Sequence, residues 1–193
     1  NGTWHGLNST YEVDADSETL VWVTSMAHGR WYPSLIALPD GKAVVLNGLD
    51  EFGSFNNLVE IYDPSTKTWS KKFDPQSNAT YCVGKNANGT VMTCPGAGSP
   101  CYGGPNNGTA PNIGNYPRMH LMPSGLVITC GGQATVRSWN PSTGRWVWPL
   151  ALTSQTRSYG CSFLLPLHNV SSERGKIIIC LLYTSPSPRD VEE

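Results

Sequence analysis

Charge is scarce in this sequence: Asp, Glu, Lys and Arg together make up 14% of 193 residues. The 13 basic and 14 acidic side chains give a formal net charge of −1, and the basic ones gather into no stripe. Without such a stripe there is nothing to neutralise a phosphate backbone, so nucleic acid is not expected as a partner. Long hydrophobic runs are also missing. None approaches the roughly 20 residues that a bilayer-spanning helix needs, so no membrane partner is expected. No Cys-x-x-Cys pair, phosphate-binding glycine loop, paired-carboxylate arrangement or Ser/His/Asp set stands out. These absences weaken zinc, nucleotide and hydrolytic readings.

What is abundant is turn chemistry and aromatic surface: 20 Gly, 15 Pro, 7 Trp and 8 Tyr. Few charges with many turn formers and aromatics point to an all-β domain. Asn-x-Ser/Thr triplets begin at Asn1, Asn8, Asn78, Asn88, Asn107 and Asn169. They imply an extracellular, secreted glycoprotein, with Asn-Gly-Thr as a plain turn the competing reading. The cysteines suit that compartment. Cys82, Cys94 and Cys101 crowd a Gly/Pro/Asn-rich stretch and are disulfide candidates, their pairing left open.

A repeat organises the chain. Arg30-Trp-Tyr-Pro-Ser-Leu-Ile-Ala-Leu-Pro-Asp-Gly-Lys-Ala-Val-Val-Leu-Asn-Gly48 parallels Tyr116-Pro-Arg-Met-His-Leu-Met-Pro-Ser-Gly-Leu-Val-Ile-Thr-Cys-Gly-Gly132. A third copy starts at Arg157-Ser-Tyr-Gly-Cys-Ser-Phe-Leu-Leu-Pro166 and resumes at Lys176-Ile-Ile-Ile179. Each is a strand, a turn and a second strand; the first two turn at Pro39–Gly41 and Pro123–Gly125. A further strand pair follows. Val59-Glu-Ile-Tyr-Asp-Pro-Ser-Thr-Lys-Thr-Trp69 matches Val136-Arg-Ser-Trp-Asn-Pro-Ser-Thr-Gly-Arg-Trp146, and a degenerate copy runs from Ser9 to Trp22. Trp22, Trp69 and Trp146 recur at one point of the unit and are expected to pack, not to react. Four strands, a glycine end and a late Trp make a kelch-like unit. The predicted fold is therefore a partial kelch-type β-propeller, truncated to about three to four blades by the kelch period. Residues Asp74–Gly114 are either an insertion or a diverged blade.

The tail departs from this pattern. Cys180-Leu-Leu-Tyr-Thr-Ser-Pro-Ser-Pro-Arg-Asp190 matches an in-frame translation of a transposase sequencing adaptor. A natural Ser/Pro-rich linker is the other reading. The expected organisation is one partial propeller over 1–179 and an adaptor-derived stretch over 180–193, with Cys180 ambiguous between them. The natural chain is expected to continue beyond Ile179. Raw blade faces are expected to make the fragment unstable or aggregating.

Arg30-Trp31-Tyr32-Pro33 followed by Leu-Pro-Asp-Gly, Tyr116-Pro-Arg-Met-His-Leu-Met-Pro-Ser-Gly125 and Arg157-Ser-Tyr-Gly resemble the galactose oxidase/glyoxal oxidase family of copper-radical enzymes. The likeness covers residues 5–179, though kelch propellers host many functions. It implies a protein that oxidises a primary alcohol, sugar or small aldehyde with O2, giving hydrogen peroxide. It implies one copper ion held by two tyrosines and two histidines, with one tyrosine joined to a cysteine. Carried over by position, Tyr32 is the cross-linked tyrosine and copper ligand, hence the one catalytic candidate. The resemblance places the partner cysteine upstream of Asn1, and the Tyr-His pair and last His downstream of Ile179. The fragment itself is therefore expected to bind no copper and to be inactive.

Two further readings stay open. The protein is a non-catalytic secreted propeller that binds glycan or protein through its loops, or an intracellular kelch adaptor, which the Asn triplets and cysteines disfavour. Tyr32 also reads as a repeat-start aromatic packing the inner strand, like Tyr116 and Tyr159. His120 reads as a satisfied inner-strand histidine rather than a channel-facing group. His5, His28 and His168 are expected in loops, with no constellation among them.

Overall fold

The computed structural model describes residues 4–72, 115–130, 135–152, 160–165 and 175–180. These form an all-β architecture of four small antiparallel sheets rather than a closed ring. The first is a hairpin of β1 (Leu7–Asp14) and β2 (Thr19–Arg30). A four-stranded sheet follows: β3 (Ser34–Ala37), β4 (Ala43–Leu46), β5 (Val59–Asp63) and β6 (Thr68–Lys72). A second contains β7 (Arg118–Leu121), β8 (Val127–Cys130), β9 (Thr135–Trp139) and β10 (Trp146–Leu152). The last is a hairpin of β11 (Cys161–Leu164) and β12 (Ile177–Cys180), in which Cys161 lies opposite Cys180. In both larger sheets the strands pair in chain order. Asp74–Gly114 and Leu181–Glu193 lie outside the described residues.

The sequence repeat is a repeat of backbone geometry. Leu38 N–H donates to Lys42 C=O at 2.7 Å and Gly41 N–H to Leu38 C=O at 3.1 Å. Met122, Leu126 and Gly125 make the same two bonds, both at 2.8 Å. Gly41 and Gly125 sit at φ 83° and 79°, a region that costs a side-chain-bearing residue dearly, so Pro-x-Gly closes both hairpins.

The second turn recurs three times. Asp14, Asp63 and Asn140 each accept, through Oδ1, a hydrogen bond from the amide two residues on, at 3.0, 3.0 and 2.9 Å. Each turn ends in a left-handed residue: Glu18, Lys67 and Gly144. Beyond each turn the strands set two aromatics opposite one another in register: Tyr11 with Trp22, Tyr62 with Trp69, Trp139 with Trp146. Such pairs are strong cross-strand contacts.

Period-two alternation divides the core. Leu38, Val44, Leu46, Val59, Val127, Trp139 and Trp146 pack between the two four-stranded sheets. The alternate residues Ile128, Cys130 and Val136 face the β11–β12 hairpin, with Ile177 and Ile179 against them. Strand β8 is thus buried on both faces, which is why it reads Val-Ile-Thr-Cys without polar alternation. The β1–β2 hairpin docks on the β3–β6 sheet by polar contacts. Trp69 Nε1–H donates to Thr10 Oγ1 at 2.8 Å, and Tyr62 O–H to Glu12 Oε1 at 2.6 Å. Leu7, Tyr11, Val13, Leu20, Val21 and Trp22 of the hairpin stay exposed.

Candidate functional site

Tyr32 stands at a corner fixed from below. Arg30, the last residue of β2, buries its guanidinium in the first sheet. There it donates to Asn47 C=O at 3.0 Å, Leu58 C=O at 2.9 Å and Glu60 Oε2 at 2.7 Å. The other Glu60 oxygen accepts the Ala27 amide at 2.7 Å. Trp31 then exchanges two backbone bonds with Leu49, at 2.7 and 2.8 Å. Gly48 makes that approach possible, since a Cβ there would lie 2.7 Å from the Trp31 carbonyl oxygen. Between this clamp and Pro33, Tyr32 is held at φ 60°. A bulky residue is rare in that region, and strain of this kind gathers at functional corners.

The second repeat builds the same corner. Tyr116 precedes Pro117 and has φ 50°, and its N–H donates to the Tyr32 carbonyl at 3.0 Å. The two rings stack at 4.2 Å between centroids with a 28° tilt. Tyr32 also stacks on Trp31 at 3.5 Å, and Trp31 on Trp4 at 5.0 Å. The result is a ladder of four rings. Partial desolvation and the neighbouring Tyr32 phenol push the Tyr116 phenol up to about 12.

Beside Tyr116 lies a cavity of about 310 Å³, lined also by Ser34, Leu35, Arg118, Met119, His120 and Ser162. Strands β3 and β11 both neighbour β7, so polar residues from different repeats meet there. His120 Nε2 and Ser162 Oγ share a hydrogen bond of 2.7 Å, and Cys130 Sγ–H donates to the same hydroxyl at 3.5 Å. His120 is half-buried, and burial pulls its pKa below the ordinary value. Burial pushes the Cys130 thiol up, against the Ser162 bond and the Arg118 charge. His120 is therefore hydrogen-bonded and also lines the cavity.

Of the expected loop histidines, His5 lies in the coil before β1 as expected, whereas His28 does not lie in a loop. His28 lies in β2, and its Nδ1–H donates to Glu51 Oε1 at 2.9 Å. His5 Nδ1–H donates to the Glu51 carbonyl at 2.6 Å. Strand β2 runs on to Arg30, beyond the copy that ended at Trp22, and this carries His28 into the sheet edge. The two rings thus converge on one residue, although among the described residues no group of three or more His, Cys, Asp or Glu could hold a metal. His168 lies outside the described residues, as does Tyr159.

Of the remaining sequence candidates, Asn8 is exposed on β1, where a glycan would meet solvent. Asn1, Asn78, Asn88, Asn107 and Asn169 lie outside the described residues, as do Cys82, Cys94 and Cys101. Among the described residues Cys130, Cys161 and Cys180 are free thiols. Reading the sequence singled out Tyr32 but missed the Tyr32–Tyr116 pair and the His120–Ser162 bond. The signal was present: both tyrosines open equivalent repeats and both precede proline.

No protein-family model matches the chain, and no curated protein is significantly similar to it.

Proposed function

We propose that this chain is part of a secreted kelch-type propeller akin to the galactose oxidase/glyoxal oxidase family, whose parent oxidises a primary alcohol, sugar or aldehyde with O2. The observation that supports this reading is the Tyr32 corner. A phenol follows Arg30-Trp31 and precedes Pro33, 39% exposed, and stacks on Tyr116, which lines the cavity between β3, β7 and β11. Copper chemistry in that family supplies the two-electron oxidation. The described residues do not by themselves fit the metal: Tyr32 brings one oxygen, and among the described residues no cluster of three or more His, Cys, Asp or Glu could hold an ion. The remaining ligands must come from elsewhere in the parent. This chain's own contribution is to hold Tyr32 at a fixed corner through Arg30, Glu60 and Leu49. Full-length protein secreted with copper is expected to produce peroxide and a tyrosyl-radical absorption, and Tyr32→Phe to abolish both. Turnover that survives Tyr32→Phe overturns the assignment.

A second reading has its own support. The ladder Trp4–Trp31–Tyr32–Tyr116 offers exposed rings of the kind that stack on sugar faces, Trp4 being 63% exposed. On this reading the protein is a non-catalytic glycan-binding module. Oligosaccharide binding by copper-free parent protein that lacks oxidase activity, lost in Trp4→Ala, favours it over the enzyme.

A further inference from the structure

We propose that Tyr32 and Tyr116 form a modification site, at which a one-electron oxidant of the peroxide-driven haem class joins their rings by a carbon–carbon bond into an intrachain dityrosine. The inference does not rest on the copper reading, because neither copper nor alcohol substrate takes part.

Three observations carry it. The rings are stacked at 4.2 Å with a 28° tilt, so ring carbons of the two residues face one another near van der Waals contact. The backbones beneath them cannot drift apart, because the Tyr116 amide is bonded to the Tyr32 carbonyl at 3.0 Å and each tyrosine is pinned before a proline. Both side chains remain open to a reagent, at 39% and 44% exposure. Preorganisation replaces the diffusional encounter that two phenoxyl radicals otherwise need.

The step balances as follows. Each phenol gives up one electron and one proton. The two phenoxyl radicals join ortho carbon to ortho carbon. The hydrogens on those carbons move to the oxygens as the rings regain aromaticity. One peroxide takes up the two electrons and two protons and leaves as two waters. The new bond ties the Pro33 corner of the first sheet to the Pro117 corner of the second, closing a long loop, so the cross-linked form resists unfolding more than the open one.

The test uses copper-free full chain, treated with a haem peroxidase and hydrogen peroxide. A parallel sample receives a photoactivated ruthenium complex and persulfate, which does not depend on docking a large protein at the site. Peptide mapping of the monomer band is expected to show a Tyr32–Tyr116 linked pair lighter by two hydrogens, with dityrosine fluorescence. Tyr32→Phe and Tyr116→Phe each remove that product. Tyr11→Phe leaves it, since the exposed Tyr11 lies opposite Trp22 in register and not opposite a tyrosine. Circular dichroism checks that the variants are folded. The proposal is overturned if oxidation lands on Trp4, Trp31 or other tyrosines while Tyr32 and Tyr116 stay unlinked under both oxidants. It is equally overturned if the monomer's fluorescence survives Tyr116→Phe.

Discussion

Arg30 and Glu60 meet at 2.7 Å with both side chains sealed from water. They belong to different sheets, since Arg30 ends β2 of the hairpin and Glu60 sits in β5. Removing one partner strands the other charge in the core. Glu60→Leu is expected to cost about 3–5 kcal/mol in urea unfolding, whereas the double change Arg30→Met with Glu60→Leu recovers much of that loss. Equal losses in the single and double variants would show that the pair acts through packing alone.

The Tyr62–Glu12 bond sets a pH window. Burial, with the Glu12 hydrogen bond and the Glu12 and Asp63 charges, raises the Tyr62 phenol to about 12. A raised phenol favours the neutral form in the folded protein, so its contribution is intact below the ordinary value of 10.0 and is lost as pH climbs toward about 12. Glu12 shifts the other way. Hydrogen bonds from Tyr62 and Lys67 lower its pKa, so its contribution is present above the ordinary 4.5 and fades as pH falls. Asp63, lowered to about 2 by Ser65 and Lys42, loses its share at still lower pH. Chemical unfolding followed against pH is expected to show an alkaline decline that Tyr62→Phe abolishes. An unchanged decline in Tyr62→Phe would assign it to another group.

Glycine at the left-handed turn ends should stabilise. Gly144 occupies this place in the third turn, while Glu18 and Lys67 occupy it at φ 53° and 54°. Relief of backbone crowding favours glycine there, partly offset by its freedom in the unfolded chain. Glu18→Gly is expected to raise the melting temperature by about 2–4 °C. A lower melting temperature would mean that the unfolded-state entropy dominates.

The apolar surface of the β1–β2 hairpin is expected to drive self-association. Leu7, Val13, Leu20, Val21 and Trp22 are exposed together on one short hairpin. Val13→Lys with Leu20→Glu should shift light scattering toward monomer without lowering the melting temperature. Association that persists in this variant would move the sticky surface elsewhere, with Phe163 and Ile178 on the last hairpin next to be tested.

The strand pairs and their turns were legible because their causes are local. Pro-Asp-Gly and Asp-Pro-Ser-Thr carry their own turn geometry, and Tyr62 and Trp69 announce a cross-strand pair by spacing alone. The Tyr32 corner was legible through its string of residues. Its partner was not, because Tyr116 reaches it only after a second sheet has been laid beside the first. The same limit hid His28. Its neighbours in sequence look like a loop, and only the distant Glu51 shows why β2 continues through it. Arg30 and Glu60 carry no local mark of being a pair, since a buried ion pair is defined by what surrounds both ends.

Strand β2 has a further consequence through its length. It is paired with β1, and its last residue, Arg30, also supplies the guanidinium that satisfies Asn47, Leu58 and Glu60 in the next sheet. The first four-stranded sheet therefore cannot complete its interior from its own strands. Hairpin and sheet should melt as a single cooperative unit, protected together against amide exchange, although no hydrogen-bonded ladder joins them. During synthesis the hairpin emerges first and must wait for β5 before its arginine finds a counter-ion, which makes Arg30 a checkpoint in the order of assembly.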